Sequence, residues 1–404
     1  MKLSEELQWR GMVNQTTLTD LTVLDNGPVS LYFGVDPSAD SMTIGNLAAA
    51  MMVRQFVDHG HKVYLLVGGA TGVIGDPDGK ASERTLKTLD EIAKNKAGIA
   101  SEYRKVFADK PFTIVDNFDW FKDINYLDFL RDVGKHVPMS QMLSRDFVQA
   151  RLGSDGSGIS YAEFSYSLIQ GYDFLHLFRT YGVTLQLCGA DQWGNSITGV
   201  DLIRRIEAKE ANVYSMPLVI NKATGKKFGK TEDGAVWLNP QKTSVYQFYQ
   251  FWLNTDDEGV VDYLKIYTLL TKEQIDELTE KQRQNPSARE AQKTLAREVT
   301  KIVHGQDRLQ SVERVTSVLF GGASFSDLTT EDIDALAGEI PTTTVGTSVI
   351  EALVDAGVAM SNGDARRLIT SGAVTVNNQK ITDDQPVLQP SLIKKGKNSF
   401  VLVR

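Results

Sequence analysis

The chain has 404 residues, of which 42% are hydrophobic and 23% charged, and its formal net charge is −8. That length allows two or three domains around a sizeable core. The acidic balance argues against a protein that coats nucleic acid non-specifically, but leaves room for a local basic patch on a folded RNA. A single cysteine, Cys188, excludes an internal disulfide framework and a cysteine-rich zinc site, and fits a reducing cytoplasm.

In chain order, residues 1–30 read as a helix start, not a signal peptide, followed by a polar approach segment. No apolar run approaches the length of a membrane span. Leu31-Tyr32-Phe33-Gly34-Val35 is a short β-forming apolar run and predicts a buried parallel strand. Asp36-Pro37-Ser38 breaks it, and an apolar helical pattern then runs through Ile44, Leu47 and Met51. Strand, tight turn and helix start aim backbone N–H groups and a positive dipole end at an anion. Gly45 leaves that helix start open to a ligand.

Lys62 to Val67 predicts a second buried strand, running into the glycine-rich stretches 68–72 and 75–79. The first is not a Walker loop, because it lacks the Gly-Lys-Ser/Thr ending, so a plain turn is one reading. Lys80 and Arg84 put two cations on an exposed segment, which is often no more than a solvated face. Residues 86–107 predict a long amphipathic helix and 112–115 a third strand. Strand–helix–strand repetition implies a doubly wound parallel sheet, with ligands beyond the carboxyl ends of its strands.

On the helix predicted over 161–176, Tyr166, Gln170 and Asp173 fall at i, i+4 and i+7 and share one face. A phenol, an amide and a carboxylate in one stripe need partners if buried. A strand over 184–188 is followed by Gly-Ala-Asp-Gln-Trp-Gly-Asn, which places Asp191 and Gln192 at its carboxyl end. Asp191 is either an N-cap or a ligand for ribose hydroxyls. Residues 222–231 form a basic glycine-rich loop, in which Lys227 and Lys230 bracket Phe228-Gly229 and precede Thr231. The aromatic run 245–253 reads as the core of a helical domain, and polar-faced helices continue to 320. The last residues, 348–404, read as two helices and short strands carrying Arg366, Arg367, Lys380, Lys394, Lys395 and Lys397.

Asp-Pro-Ser-Ala-Asp-Ser-Met-Thr-Ile-Gly-Asn-Leu resembles the first signature of the class I aminoacyl-tRNA synthetases in its bacterial tyrosyl form, and Lys-Phe-Gly-Lys-Thr resembles the second. The likeness covers essentially the whole chain. It departs at Thr43, where the family pattern has histidine. The resemblance implies a Rossmann-like doubly wound α/β catalytic domain over 1–222, then a signature loop and α-helical domain over 223–325. A linker over 326–347 and an α+β, S4-like RNA-binding domain over 348–404 follow. It implies tyrosine contacts at Tyr32, Asp76, Tyr166, Gln170, Asp173 and Gln192. ATP contacts follow at Gly34, Asp36, Ser38, Gly45, Asn46, Asp191 and Lys230, and catalytic donors at Thr43, Lys80, Arg84, Lys227, Lys230 and Thr231. RNA contacts are implied at Arg366, Arg367 and Lys380. ATP enters as a substrate with Mg²⁺ and no protein-bound metal, and tRNA(Tyr), tyrosine and a second copy of the chain are the partners, in the cytoplasm. Two alternatives stand beside this. One is a synthetase-like RNA-binding protein that has lost catalysis at Thr43; the other is a tryptophan-specific enzyme, against which Tyr32 and Asp173 argue.

Overall fold

The computed structural model of the chain describes residues 1–76, 87–152, 158–231 and 234–404, without the side chains of 146, 147, 230 and 231. They form two compact units, one of residues 1–244 and 250–303, the other of 245–249 and 304–404.

The first unit is built on six strands: β1 (Gln15–Thr16), β2 (Ser30–Val35), β3 (Lys62–Val67), β4 (Thr113–Val115), β5 (Leu185–Gly189) and β6 (Asn212–Met216). Their order is β1-β6-β5-β2-β3-β4. All neighbours are parallel except the edge strand β1, which runs antiparallel to β6. Five of the six residues of β3 are buried, as a strand covered on both faces requires. Strands β2, β3 and β4 step one way across the sheet, while β5 and β6 step the other. The order therefore reverses between β2 and β5, which opens a crevice at their carboxyl ends.

Helices fill the crossovers. In chain order they are α1 (Leu3–Trp9), α2 (Ile44–Asp58), α3 (Gly69–Ile74), α4 (Leu89–Val106), α5 (Phe118–Phe121), α6 (Tyr126–Asp132), α7 (Met139–Leu143), α8 (Asp146–Leu152), α9 (Tyr161–Tyr181) and α10 (Trp193–Glu207). The glycine run at 68–72, expected as a turn, forms most of α3. Asp116 and Asn117, beyond β4, cap it by accepting from Gly69 N (2.9 Å) and Ala70 N (2.7 Å). Glycine is needed there because a Cβ on Gly69 would stand 2.3 Å from Asp116 Oδ1.

Helix α9 starts on a Ser160/Glu163 capping box and stops at Gly182, whose φ of +66° is left-handed. Glu163 also accepts two hydrogen bonds of 2.9 Å from Arg151, and both side chains are buried. Arg151 pulls the Glu163 carboxyl below its usual range. That contribution to stability is full above the unfolded carboxylate pKa and is lost as pH falls through the lower folded value. Glu163→Gln should cost about 3 kcal/mol in urea unfolding at neutral pH, because it leaves a buried guanidinium unpaired.

The second unit carries a five-stranded mixed sheet in the order β11-β10-β12-β13-β9. The signature hairpin of the first unit takes the labels β7 (Lys230–Thr231) and β8 (Gly234–Ala235), so these strands are β9 (Thr342–Thr343), β10 (Val374–Val376), β11 (Gln379–Lys380), β12 (Ser391–Lys395) and β13 (Ser399–Val403). Residues 326–347, expected as a linker, are part of this unit: they contain the helix Thr330–Ala337 and β9. Leu336 is buried in one cluster with Val315, Leu392 and Leu402. Burial would raise the Asp332 carboxyl of that helix, but Arg314, Ser311 and Thr329 hold it down at about 2.

Candidate active site

A cleft of about 470 Å³ opens at the carboxyl ends of β2 and β5. The face of α9 read from the sequence forms one wall. Tyr166 donates to Asp36 Oδ2 at 2.6 Å, and Thr71 Oγ1 donates to Asp36 Oδ1 at 2.7 Å. Asp173, 1% exposed, accepts from Asn117 Nδ2 at 3.1 Å and from Trp120 Nε1 at 3.0 Å. Burial pushes its carboxyl well above the usual range, against the pull of those two donors. Burial and the Asp173 charge together push the Tyr32 phenol up.

Three cleft-lining atoms are buried with no hydrogen-bond partner among the described residues: Tyr32 Oη, Gln170 Oε1 and Gln186 Oε1. A buried polar atom left unpaired costs about 1–3 kcal/mol. Together they mark this end of the cleft as built for a polar ligand. Tyr32 and Gln186 are register partners on the two strands that flank the crevice.

At the far end of β5, Gln192 Nε2 donates to Asp76 Oδ2 at 2.6 Å, and its Oε1 accepts from Asn195 at 3.2 Å. Asp191 is exposed and stands 3.9 Å from Lys227 Nζ. Gly34, Ser38, Thr43, Gly45 and Asn46 line the same cleft from β2 and the start of α2. The basic loop is seated on that helix start by Gly229, with φ +88°, whose Cβ position lies 3.1 Å from Ile44 Cβ and 3.4 Å from Gly45 N. Phe228 anchors the loop from the other side, stacked on Tyr263 at 4.1 Å and ringed by Phe251, Trp252 and Tyr267. Lys227 lines the cleft with its side chain largely exposed.

The structure thus gathers Tyr32, Gly34, Asp36, Ser38, Thr43, Gly45, Asn46, Asp76, Tyr166, Gln170, Asp173, Asp191, Gln192 and Lys227 around one cleft. Lys80 and Arg84 lie outside the described residues, as do the side chains of Lys230 and Thr231, whose backbones pair in β7–β8. Arg366, Arg367 and Lys380 belong to the second unit, where all three are exposed. At the start of α2 the Thr43 hydroxyl donates to Asn46 Oδ1 at 2.9 Å. Asn117, Trp120, Gln186 and Thr71 were not expected at the site. Only Gln186 carried a signal, as a polar residue inside an apolar strand.

Residues 24–321 match the family described as tRNA synthetases class I (W and Y), and residues 332–404 match the tyrosine–tRNA ligase SYY-like C-terminal domain. The chain is 46% identical to the tyrosine–tRNA ligase of Lactiplantibacillus plantarum, over 100% of this chain and 97% of that one. It is 42% identical to that of Limosilactobacillus reuteri over 100% of both. Its fold matches a C-terminally truncated mitochondrial tyrosyl-tRNA synthetase of Aspergillus nidulans with a TM-score of 0.71 and 30% identity, covering 79% of this chain and 94% of that one. The fold is that of a class I tRNA synthetase. The chain belongs to that family, in its tyrosine–tRNA ligase branch.

Proposed function

We propose that the cleft binds tyrosine and ATP, joins them as tyrosyl-adenylate, and passes the tyrosyl group to tRNA(Tyr). One observation carries the choice of amino acid. A buried carboxylate, Asp173, and a buried unpartnered phenol, Tyr32, serve the same end of the cleft. A tyrosine phenol there donates to Asp173 and accepts from Tyr32. Tyr166 and Gln170 hold the ammonium group, with Asp36 supplying charge behind Tyr166. Asp76 and Gln192 hold the carboxylate region, and Asp191 the ribose.

The tyrosine carboxylate, already ionised, attacks the α-phosphorus of ATP, forming a C(O)–O–P bond as pyrophosphate leaves. The protein supplies position and positive charge and needs no nucleophile of its own. The N-terminus of α2, Lys227 and, from the family resemblance of their motifs, Lys230, Thr231, Lys80 and Arg84 are assigned to the phosphates. Magnesium is assigned to the ATP as part of the substrate. Among the described residues no group of three or more His, Cys, Asp or Glu side chains could hold a metal ion. A terminal hydroxyl of tRNA then attacks the carbonyl carbon, and AMP departs.

The second unit is assigned to the RNA. A homodimer in the cytoplasm completes the proposal, supported by the exposed apolar side chains of Tyr126, Leu127, Met139, Leu152 and Tyr161. No described helix is long and apolar enough to cross a membrane. The test is charging of a total tRNA pool with each amino acid in turn. Acceptance of tyrosine alone is expected; charging with tryptophan, or with none, refutes the proposal.

A further inference from the structure

The first residue of the Thr-Ile-Gly-Asn signature makes its contacts inside the protein. Thr43 is the N-cap of α2, and Asn46 is its third residue. Asn46 Oδ1 accepts from Thr43 N at 2.9 Å and from Thr43 Oγ1 at 2.9 Å. A backbone N–H only donates, so the oxygen of the Asn46 amide faces Thr43 and its NH₂ faces away. An amide oxygen carries no proton, so the hydroxyl hydrogen of Thr43 lies on that contact. Thr43 therefore shows a cleft ligand only lone pairs, which repel a phosphate.

Asn46 is exposed and lines the cleft, and its Nδ2 makes no hydrogen bond among the described residues. Nothing crowds the pair: a Cβ on Gly45 would meet only Thr43 Oγ1, at 3.6 Å. The basic loop closes on the same corner through Gly229. Asn46 and Lys227 thus line the same cleft.

We propose that Thr43 is a positioning residue: its hydroxyl locks the Asn46 amide so that Nδ2–H donates to an acceptor oxygen of bound ATP. Asn46, not Thr43, is the group that touches the nucleotide at this corner. The proposal rests on the cleft being an ATP site, and its readouts separate the two ideas.

The experiment is a double-mutant cycle of Thr43→Val and Asn46→Ala, with Thr43→Ser as the conservative control. ATP dissociation constants are measured by calorimetry on the full chain, and Michaelis constants for ATP and tyrosine by pyrophosphate exchange. Thr43→Val keeps the shape and removes the hydroxyl. It should weaken ATP binding about tenfold and leave the tyrosine constant within twofold. Asn46→Ala should weaken ATP binding at least as much. The double variant should be no weaker than Asn46→Ala alone, because Thr43 acts only through Asn46. Thr43→Ser should retain most of the native affinity. Additive losses, or native ATP affinity in Thr43→Val, would overturn the proposal. ATP binding that is absent from the native chain would overturn the ATP-site reading itself.

Discussion

Asp173→Ala should lower tyrosine activation on the order of a thousandfold while the protein stays folded. The loss has two parts. The tyrosine phenol loses a charged acceptor, worth about 1.5–3 kcal/mol, and Tyr32 is left beside a desolvated hydroxyl with its geometry undefined. Asn117 and Trp120, which both donate to Asp173, each lose that acceptor in the variant, and Asn117 Nδ2 keeps only Thr71 Oγ1. Their freedom to move widens the pocket further. Discrimination against phenylalanine should collapse as well. A site that pairs a substrate hydroxyl rejects the analogue without it by about 10⁵, the figure established for this enzyme class itself. Pyrophosphate exchange with tyrosine and phenylalanine in parallel checks both effects. Unchanged tyrosine kinetics with unchanged rejection of phenylalanine would contradict the assignment of Asp173.

The same variant has a pH signature. Burial raises the folded-state pKa of Asp173. A raised acid favours the folded state at low pH, and that advantage is lost as pH climbs from the unfolded value through the folded one. The alanine variant lacks this penalty. Its melting temperature relative to the native chain should therefore rise between acid and neutral pH. A difference that stays flat across that range would show that Asp173 ionises freely.

The second large effect belongs to the other unit. Arg366→Glu with Arg367→Glu should reduce tRNA charging about thirtyfold or more and leave adenylate formation unchanged. Both arginines are exposed on the helix Asn362–Thr370, where charge reversal disturbs no core. The Arg367–Asp364 contact is a surface pair and contributes little to stability. Each lost phosphate contact lowers the slope of log K against log salt by about one, so the pair should lower it by about two. Lys394 and Lys395 are weaker candidates than the sequence alone implied. Their ammonium groups donate to Leu319 O and Val358 O. Full charging by the double variant at physiological salt would remove these arginines from the RNA surface.

The legible part of the fold follows the strength of the local signal. β2 and β3 announce themselves as unbroken apolar runs, because both faces of a central parallel strand are covered. The face of α9 is equally plain, since three polar residues at helical spacing stay together whatever the helix packs on. The support of Asp173 was not legible. Asn117 lies 56 positions away in the chain, and only the sheet brings it beneath α9. The glycines of α3 were read as a turn because their need for space comes from Asp116, across a strand pair. Residues 326–347 look polar and loose in sequence, yet single residues such as Leu336 carry their packing. At Thr43 the residue type shows a hydroxyl donor; that this hydroxyl meets Asn46 Oδ1 in the structure follows from helix-cap geometry, which residue type alone does not give.

The central claim is that this cleft activates tyrosine, with threonine at the head of its first signature. Single-turnover formation of adenylate by the native protein, at saturating Mg·ATP, tests it most directly. Tyrosine should give one equivalent of tyrosyl-adenylate per competent site with release of pyrophosphate, and phenylalanine and tryptophan should give none. No adenylate with tyrosine, from protein that still binds tRNA, would contradict the account and leave an RNA-binding protein in the frame of a synthetase.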